Sequence, residues 1–437
     1  MSFGTSRLIR PALIAAAIGA AFGNASAAGL VFGTQSASNM GTANAGAAAV
    51  FDATTIFTNP AGMARLKGTH LSGALNLVFP DTEFTDTGST TALGTPTPGR
   101  KKAEFGHTVV VPHLYATHEL QSGLVAGLGV FVPYGSATDY DKDWTGRYHS
   151  TESELKSVNI NPSIAWKPNE QWSLGAGLSA QFVKGKISKA IDFGSMTGLP
   201  AMSGNRALDG DVAVKGDDWG FGYNLGVMFE PTPATRFGLA YRSRIKHKVT
   251  GDADFTVPAA LASNPRAAAL RDTDASLDLT MPETFSIHGF HQIDSRWAVM
   301  GDITRTRHSR LQEIRIKLKN LPDSVTPTKW RDATRFAVGA TYKYSDALTF
   351  RGGVAYDKSP EDDGNRIANI PDAHRTWLAG GVSWALDDKR VLDVALAYVK
   401  LKDGSVAQSD VAAPRSVVRG EYDTKSFVLG VQYNQGF

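Results

Sequence analysis

Phe427-Val-Leu-Gly-Val-Gln-Tyr-Asn-Gln-Gly-Phe437 closes the chain. Phe427, Leu429, Val431, Tyr433 and Phe437 fall on one parity, and Ser426, Gly430, Gln432, Asn434 and Gly436 on the other. Side chains of a strand alternate between its two faces, so the first set forms an apolar face and the second a small or polar one. A strand with lipid on one side and water on the other reads this way. So does a half-buried strand of a soluble sandwich, and the rest of the chain has to decide between them.

At the opposite end, Arg7 and Arg10 precede an apolar stretch from Pro11 to Phe22 and the small residues Ala25-Ser26-Ala27. This order predicts a secretory signal peptide over residues 1–27. An apolar run of about a dozen residues is too short to span a bilayer as a helix. The chain carries 45 basic and 42 acidic residues; without Arg7 and Arg10 the balance is 43 to 42. That near-neutrality excludes an electrostatic case for a nucleic-acid partner. With no Cys, disulfides and thiolate metal sites are excluded, and neither a metal nor a cofactor is expected.

Period-two segments recur from residue 69 onward. They run Leu71 to Phe79, Val109 to Tyr115, Leu124 to Val132, Val158 to Trp166, Trp172 to Phe182, Trp219 to Phe229 and Phe237 to Tyr241. They continue through Phe285 to Gly289, Trp297 to Ile303, Phe336 to Tyr344, Leu348 to Tyr356, Leu378 to Leu386, Leu392 to Tyr398 and the terminal strand. About fourteen strands are expected, joined alternately by short turns near Ser122, Asn169, Pro231, Asp294, Ser345 and Asp387 and by longer connections. Short periplasmic turns and long outer loops produce this rhythm in a transmembrane barrel. The outward sets include Val109, Val111, His113 and Tyr115; Asn159, Asn161, Asn224, Arg335, Lys343, Arg351, Asp357 and Asp393 are read as facing a watery lumen. The fold class is therefore all-β, a transmembrane antiparallel β-barrel spanning 67–437, multi-pass in the bacterial outer membrane.

Between the signal and the first strand lies a small-residue segment, TQSASNMGTANAGAAAV at 34–50, followed by the turn Asn59-Pro60-Ala61-Gly62-Met63. Small residues suit close packing in a confined space, and residues 28–66 are expected to form a hatch plugging the lumen.

In these blocks the chain resembles the FadL-type outer-membrane transporters of long-chain fatty acids and other hydrophobic compounds. The resemblance rests on Gly29-Leu30, Gln35 to Ser38, Gly41, Ala45-Gly46, Asp52-Ala53 and Asn59 to Met63. It extends to Met281-Pro282-Glu283, Arg351 to Pro360, Asn365-Arg366, Ile370 to Asp372 and Arg375 to Trp377. The terminal Phe437 is similar to the signal by which the assembly machinery recognises outer-membrane barrels. The resemblance implies a monomeric fourteen-stranded barrel, embedded in outer-membrane lipid, that captures a hydrophobic small-molecule ligand on its outer loops and releases it laterally. The release point would be a kink in the third strand, among Gly127, Gly129 and Pro133.

Apolar residues in loops that should face water mark candidate binding surfaces. Phe193, Met196, Leu199 and Met202 supply one such loop, and Phe255 and Leu261 the next; Gly29 and Leu30 would meet ligand from the hatch. For a carboxylate head group, the resemblance points to basic residues near the ends of the fifth and ninth strands, here Lys186 or Lys189 and Arg315. No nucleophile elbow or His-Glu metal motif stands out, so an enzyme is not expected. The rival readings are a lipid-hydrolysing barrel and a general diffusion porin; the hatch segment argues against the latter.

Overall fold

The computed structural model describes residues 29–411 and 415–437, so the expected signal peptide lies outside the described residues. Alternation of apolar and small residues drives fourteen long strands into one closed antiparallel barrel. These staves are β1 (Thr69–Asp86), β2 (Val109–Gln121), β3 (Leu124–Phe131), β4 (Glu152–Trp166), β5 (Trp172–Asp192), β6 (Asp209–Thr232) and β7 (Thr235–Arg242). They continue as β8 (Thr284–Gln292), β9 (Trp297–Thr306), β10 (Ala333–Lys343), β11 (Leu348–Asp357), β12 (Arg375–Ala385), β13 (Arg390–Leu401) and β14 (Val417–Gly436). The seam closes between first and last staves, from His70 opposite Gly436 to Asp86 opposite Gly420.

Outward positions form an apolar band. Leu71, Leu128, Leu178, Phe221, Phe237, Val338, Leu378 and Phe427 are all exposed, as a lipid-facing surface requires. On one stave the expected parity is inverted. Val109, Val111, His113 and Tyr115 are buried, while Leu114 between the last two is 47% exposed. The cause is the hatch: Phe32 stacks on His113 with ring centroids 6.1 Å apart, and the Tyr115 hydroxyl donates to Gln35 Oε1 at 3.3 Å. Both faces of β2 are apolar, so alternation could not orient it. Lys343 also departs from the expected lumen set; it is exposed beside a short turn and pairs with Asp346 at 2.7 Å.

The amino-terminal segment fills the lumen with short helices, α1 (Ala37–Met40) and α2 (Thr55–Thr58), and a 3-10 turn at Pro60–Arg65. Ser36 caps α1 by accepting from the Asn39 amide, and Asn59 caps the 3-10 turn by accepting from the Ala61 amide. Many inward glycines of the wall face this plug rather than open water. A Cβ on Gly353 would stand 2.3 Å from the Thr42 carbonyl carbon, and one on Gly175 would stand 2.3 Å from the Ala61 nitrogen. Only Gly lets the two backbones approach so closely.

Above the membrane band the wall continues as a collar. The strands at Ile245–Thr256, Thr273–Met281 and Glu313–Leu318 pair in sequence with one another and with the upper half of β6.

Candidate functional site

The collar strands reverse the membrane rule, because water lies outside them and an apolar chamber lies within. Val249, Leu277, Leu279, Ile314 and Ile316 alternate with polar residues and line an apolar cavity. Leu30 from the hatch tail and Ile370 complete its lining. Gly29 docks beside it, its amide donating to Asp372 Oδ2 at 3.0 Å.

The expected ligand contacts separate into several places. Leu30 and Lys186 line the apolar chamber, and Lys186 is ion-paired with Glu152 at its rim. Lys189 lies outside that lining on the same stave. Arg315 stands between Ile314 and Ile316, so strand parity turns it to the opposite face, where it pairs with Glu313 at 2.6 Å and Asp323 at 3.2 Å. Phe193 is fully buried, its ring filling the space above Gly210. Leu199 and Met202 are exposed and Met196 half-buried; none of the three lines the chamber. Phe255 packs against the cluster that surrounds the chamber, and Leu261 sits half-buried in a 3-10 turn at Ala259–Leu261. The chamber residues missed from sequence show the same alternation through 245–256, 273–281 and 313–318, within the longer connections between staves.

The ladder of β3 stops at Phe131 and resumes as a short strand, Gly135–Asp139, which pairs with β4. Gly127 and Gly129 lie within the regular ladder, opposite Thr117 and Tyr115, so the interruption falls at Val132-Pro133-Tyr134. Gly127 instead leaves room for Met63 and Ile56 of the plug. The hatch tail holds the break. The Phe32 amide donates to the Pro133 carbonyl at 2.9 Å, Gln35 Nε2 to the Val132 carbonyl at 2.8 Å, and the Gly135 amide to the Leu30 carbonyl at 3.0 Å. Beside this break His107 faces Asp139 at 3.1 Å across a small cleft lined by Phe105, Gly106 and Ala137.

Four wall arginines fasten the plug. Arg236 donates to the Ala48 and Ala49 carbonyls, Arg242 to Phe57, Arg335 to Ala43 and Arg351 to Ser38. Each guanidinium also lies over an aromatic ring: Phe290, Phe57, Trp377 and Phe51 respectively. Such contacts are charge-assisted and gain from low dielectric. At the turn Asn59-Pro60-Ala61-Gly62, Asn59 Nδ2 donates to the Val227 and Leu239 carbonyls of the wall.

The second charge group sits above the lumen. Asp372 accepts from Ser359 at 3.0 Å and pairs with Arg375, and Arg366 donates to the Asp372 carbonyl at 2.8 Å. Burial pushes the Glu361 carboxyl well above its usual range, although it accepts from the Trp330 indole at 3.0 Å and the Asp372 amide at 2.9 Å. His308, packed on Gly29, is held down to about 4, chiefly by burial.

Residues 18–437 match the family model described as outer membrane protein transport protein (OMPP1/FadL/TodX). An outer membrane protein of Neisseria meningitidis is 33% identical, with 96% of this chain and 97% of that protein covered. A long-chain fatty acid transport protein of Escherichia coli is 28% identical over 94% of each. The fold is shared with a crystal structure of a Pseudomonas aeruginosa FadL homologue, at a TM-score of 0.86 and 23% identity, covering 94% of this chain and all of that one. A Ralstonia pickettii toluene transporter, 20% identical, aligns over 93% of this chain and 98% of its own at a TM-score of 0.67. With a closed barrel, a plugged lumen and a match across nearly its whole length, the chain belongs to the OMPP1/FadL/TodX family of outer-membrane transport proteins.

Proposed function

We propose that the protein takes up long-chain fatty acids or related hydrophobic compounds across the outer membrane. Cargo lands on the apolar loops of the collar, passes into the chamber lined by Leu277, Leu279, Ile314 and Ile316, and leaves sideways through the break at Val132-Pro133-Tyr134. Residues 28–66 act as the hatch, and the protein works as a monomer without catalysis. One observation carries this reading: Leu30 lines the apolar chamber with its side chain while its carbonyl accepts from Gly135 at the strand break. Ligand in the chamber and the conformation of the wall are thereby joined through one residue. A ligand shifts that conformation only by binding one form more tightly than the other.

The test is uptake of labelled oleate by cells whose own transporter is deleted, with and without this protein. Expression should restore uptake, and Leu279→Arg, which puts a charge into the chamber, should abolish it. Equal uptake of a small sugar by the wild type would instead indicate an open pore, and an unaffected Leu279→Arg variant would remove the chamber from the route.

A further inference from the structure

Below the apolar chamber lies a second cavity with a different character. The hatch tail separates the two: Leu30 lines the upper one, Val31 and Phe32 the lower. Strand register arranges the lower cavity's wall in rows. Asn224, Arg242, Thr284, Thr306 and Ala333 stand opposite one another across β6 to β10, and Ser286, Thr304, Arg335 and Asp357 form the next row across β8 to β11. Hydroxyls therefore fill the wall between two guanidinium groups.

Arg242 is 8% exposed. It donates to the Phe57 carbonyl at 2.9 Å and lies over the rings of Phe57 and Phe131, at 4.7 and 5.4 Å from their centroids. Among the described residues it makes no ion pair, and neither the Thr284 nor the Thr306 hydroxyl beside it is hydrogen-bonded. A buried charge without a counter-charge is costly, and an anion entering beside it removes that cost. Arg offers a planar fork that fits a carboxylate with two hydrogen bonds. The cavity's own acids stand elsewhere: Asp302 lies 3.4 Å from His288 in the row below, and Asp357 is on the far side of Arg335.

We propose that this polar cavity is a station for the carboxylate head of an amphiphilic cargo, with Arg242 as counter-ion and Thr284 and Thr306 as flanking donors. It is separate from the apolar chamber and from Lys186 at that chamber's rim. The proposal rests on the transport reading above, and its test is built to separate the two.

Full-length wild type, Arg242→Gln, Arg242→Lys and Arg236→Gln are expressed in the transporter-deleted host, with uptake normalised to the heat-modifiable barrel in the outer membrane. Two labelled cargoes are compared, oleate and the uncharged hydrophobe toluene. Arg242→Gln should lower oleate uptake about tenfold relative to toluene uptake, the worth of a hydrogen-bonded charge; the lost hold on the Phe57 carbonyl acts on both cargoes alike and cancels in that ratio. Arg242→Lys should recover part of the oleate uptake. Arg236→Gln, which loosens the plug without lining the cavity, should move both cargoes alike. Excess acetate should not compete with oleate, and competition would assign a site for free anions and overturn the proposal. Equal loss of both cargoes in Arg242→Gln would reduce Arg242 to a plug fastener, and no loss of either would overturn the station outright. If the wild type carries toluene but not oleate, only the head-group station falls; if it carries neither, the transport reading falls with it.

Discussion

Arg351 Nη1 and Asp393 Oδ1 meet at 2.6 Å across the inner wall, and both side chains are almost wholly buried. The same guanidinium holds the Ser38 carbonyl of the plug and lies 4.2 Å from the centroid of Phe51. Removing the acid leaves a buried charge whose other partners are neutral. Asp393→Ala is therefore expected to destabilise the barrel by about 3–5 kcal/mol. Thermal unfolding followed by gel mobility would show it, and an unchanged midpoint would mean that water replaces the carboxylate.

Gly353 tests the fit of plug to wall. With a valine there, the Thr42 backbone must shift, since even the first side-chain carbon stands 2.3 Å from the Thr42 carbonyl carbon. A cost of about 1–3 kcal/mol is expected. A single Cys at Ser38, in a chain that otherwise has none, should become reactive to a maleimide in Gly353→Val and stay protected in the parent.

Whether the plug moves is answered by locking it. Ser38 approaches Gln432 of β14, with its amide 3.4 Å from Oε1, whereas Asn224 lies beside Ile56. A Ser38→Cys/Gln432→Cys pair should cross-link in the membrane and reduce oleate uptake at least tenfold under oxidising conditions, with recovery on reduction. Normal uptake in the locked form would make the segment a static filling.

His308 confers a pH dependence on the docked tail. Burial lowers its pKa from 6.5 to about 4, with Asp372 and Asp332 opposing and Arg375 assisting. The docked form keeps the ring neutral where the undocked form takes a proton, so the stabilisation is complete above about 6.5 and is lost as pH falls toward about 4. Each pH unit within that window costs about 1.4 kcal/mol. His149, in the loop before β4, is lowered to about 4 as well, mainly by burial, and adds to the same window. Unfolding midpoints measured from neutral pH to about 4 should fall more steeply in the parent than in His308→Gln, and more steeply there than in the double variant with His149→Gln.

At the seam, the Phe437 amide donates to the Thr69 carbonyl at 3.0 Å while the ring is 65% exposed on the outer surface. Deleting Phe437 should lower the amount of inserted, heat-modifiable barrel several-fold. Undiminished insertion would remove this residue from assembly.

The staves were legible because lipid demands an apolar residue at every second position, and Phe221, Leu225 and Leu378 answer that demand directly. The same rule misled where the solvent changed. On β2 the inner face meets Phe32 and Gln35, so His113 and Tyr115 looked outward. In the collar the apolar face turns inward, so Leu277, Leu279 and Ile316 sat in segments whose charged outer residues read as loop. Arg236 and Arg242 left no signal at all, because their partners in the plug are carbonyl oxygens that every residue possesses.

The backbone contact at Gly353 also limits how the protein can be recombined. Plug and wall meet there without side chains between them, so a bulkier residue on either surface has no slack to enter. The two surfaces are fitted to one another. Exchanging the first seventy or so residues between relatives would carry over a shape moulded to another interior, and a working chimera has to move the inner positions of β10 and β11 together with the plug.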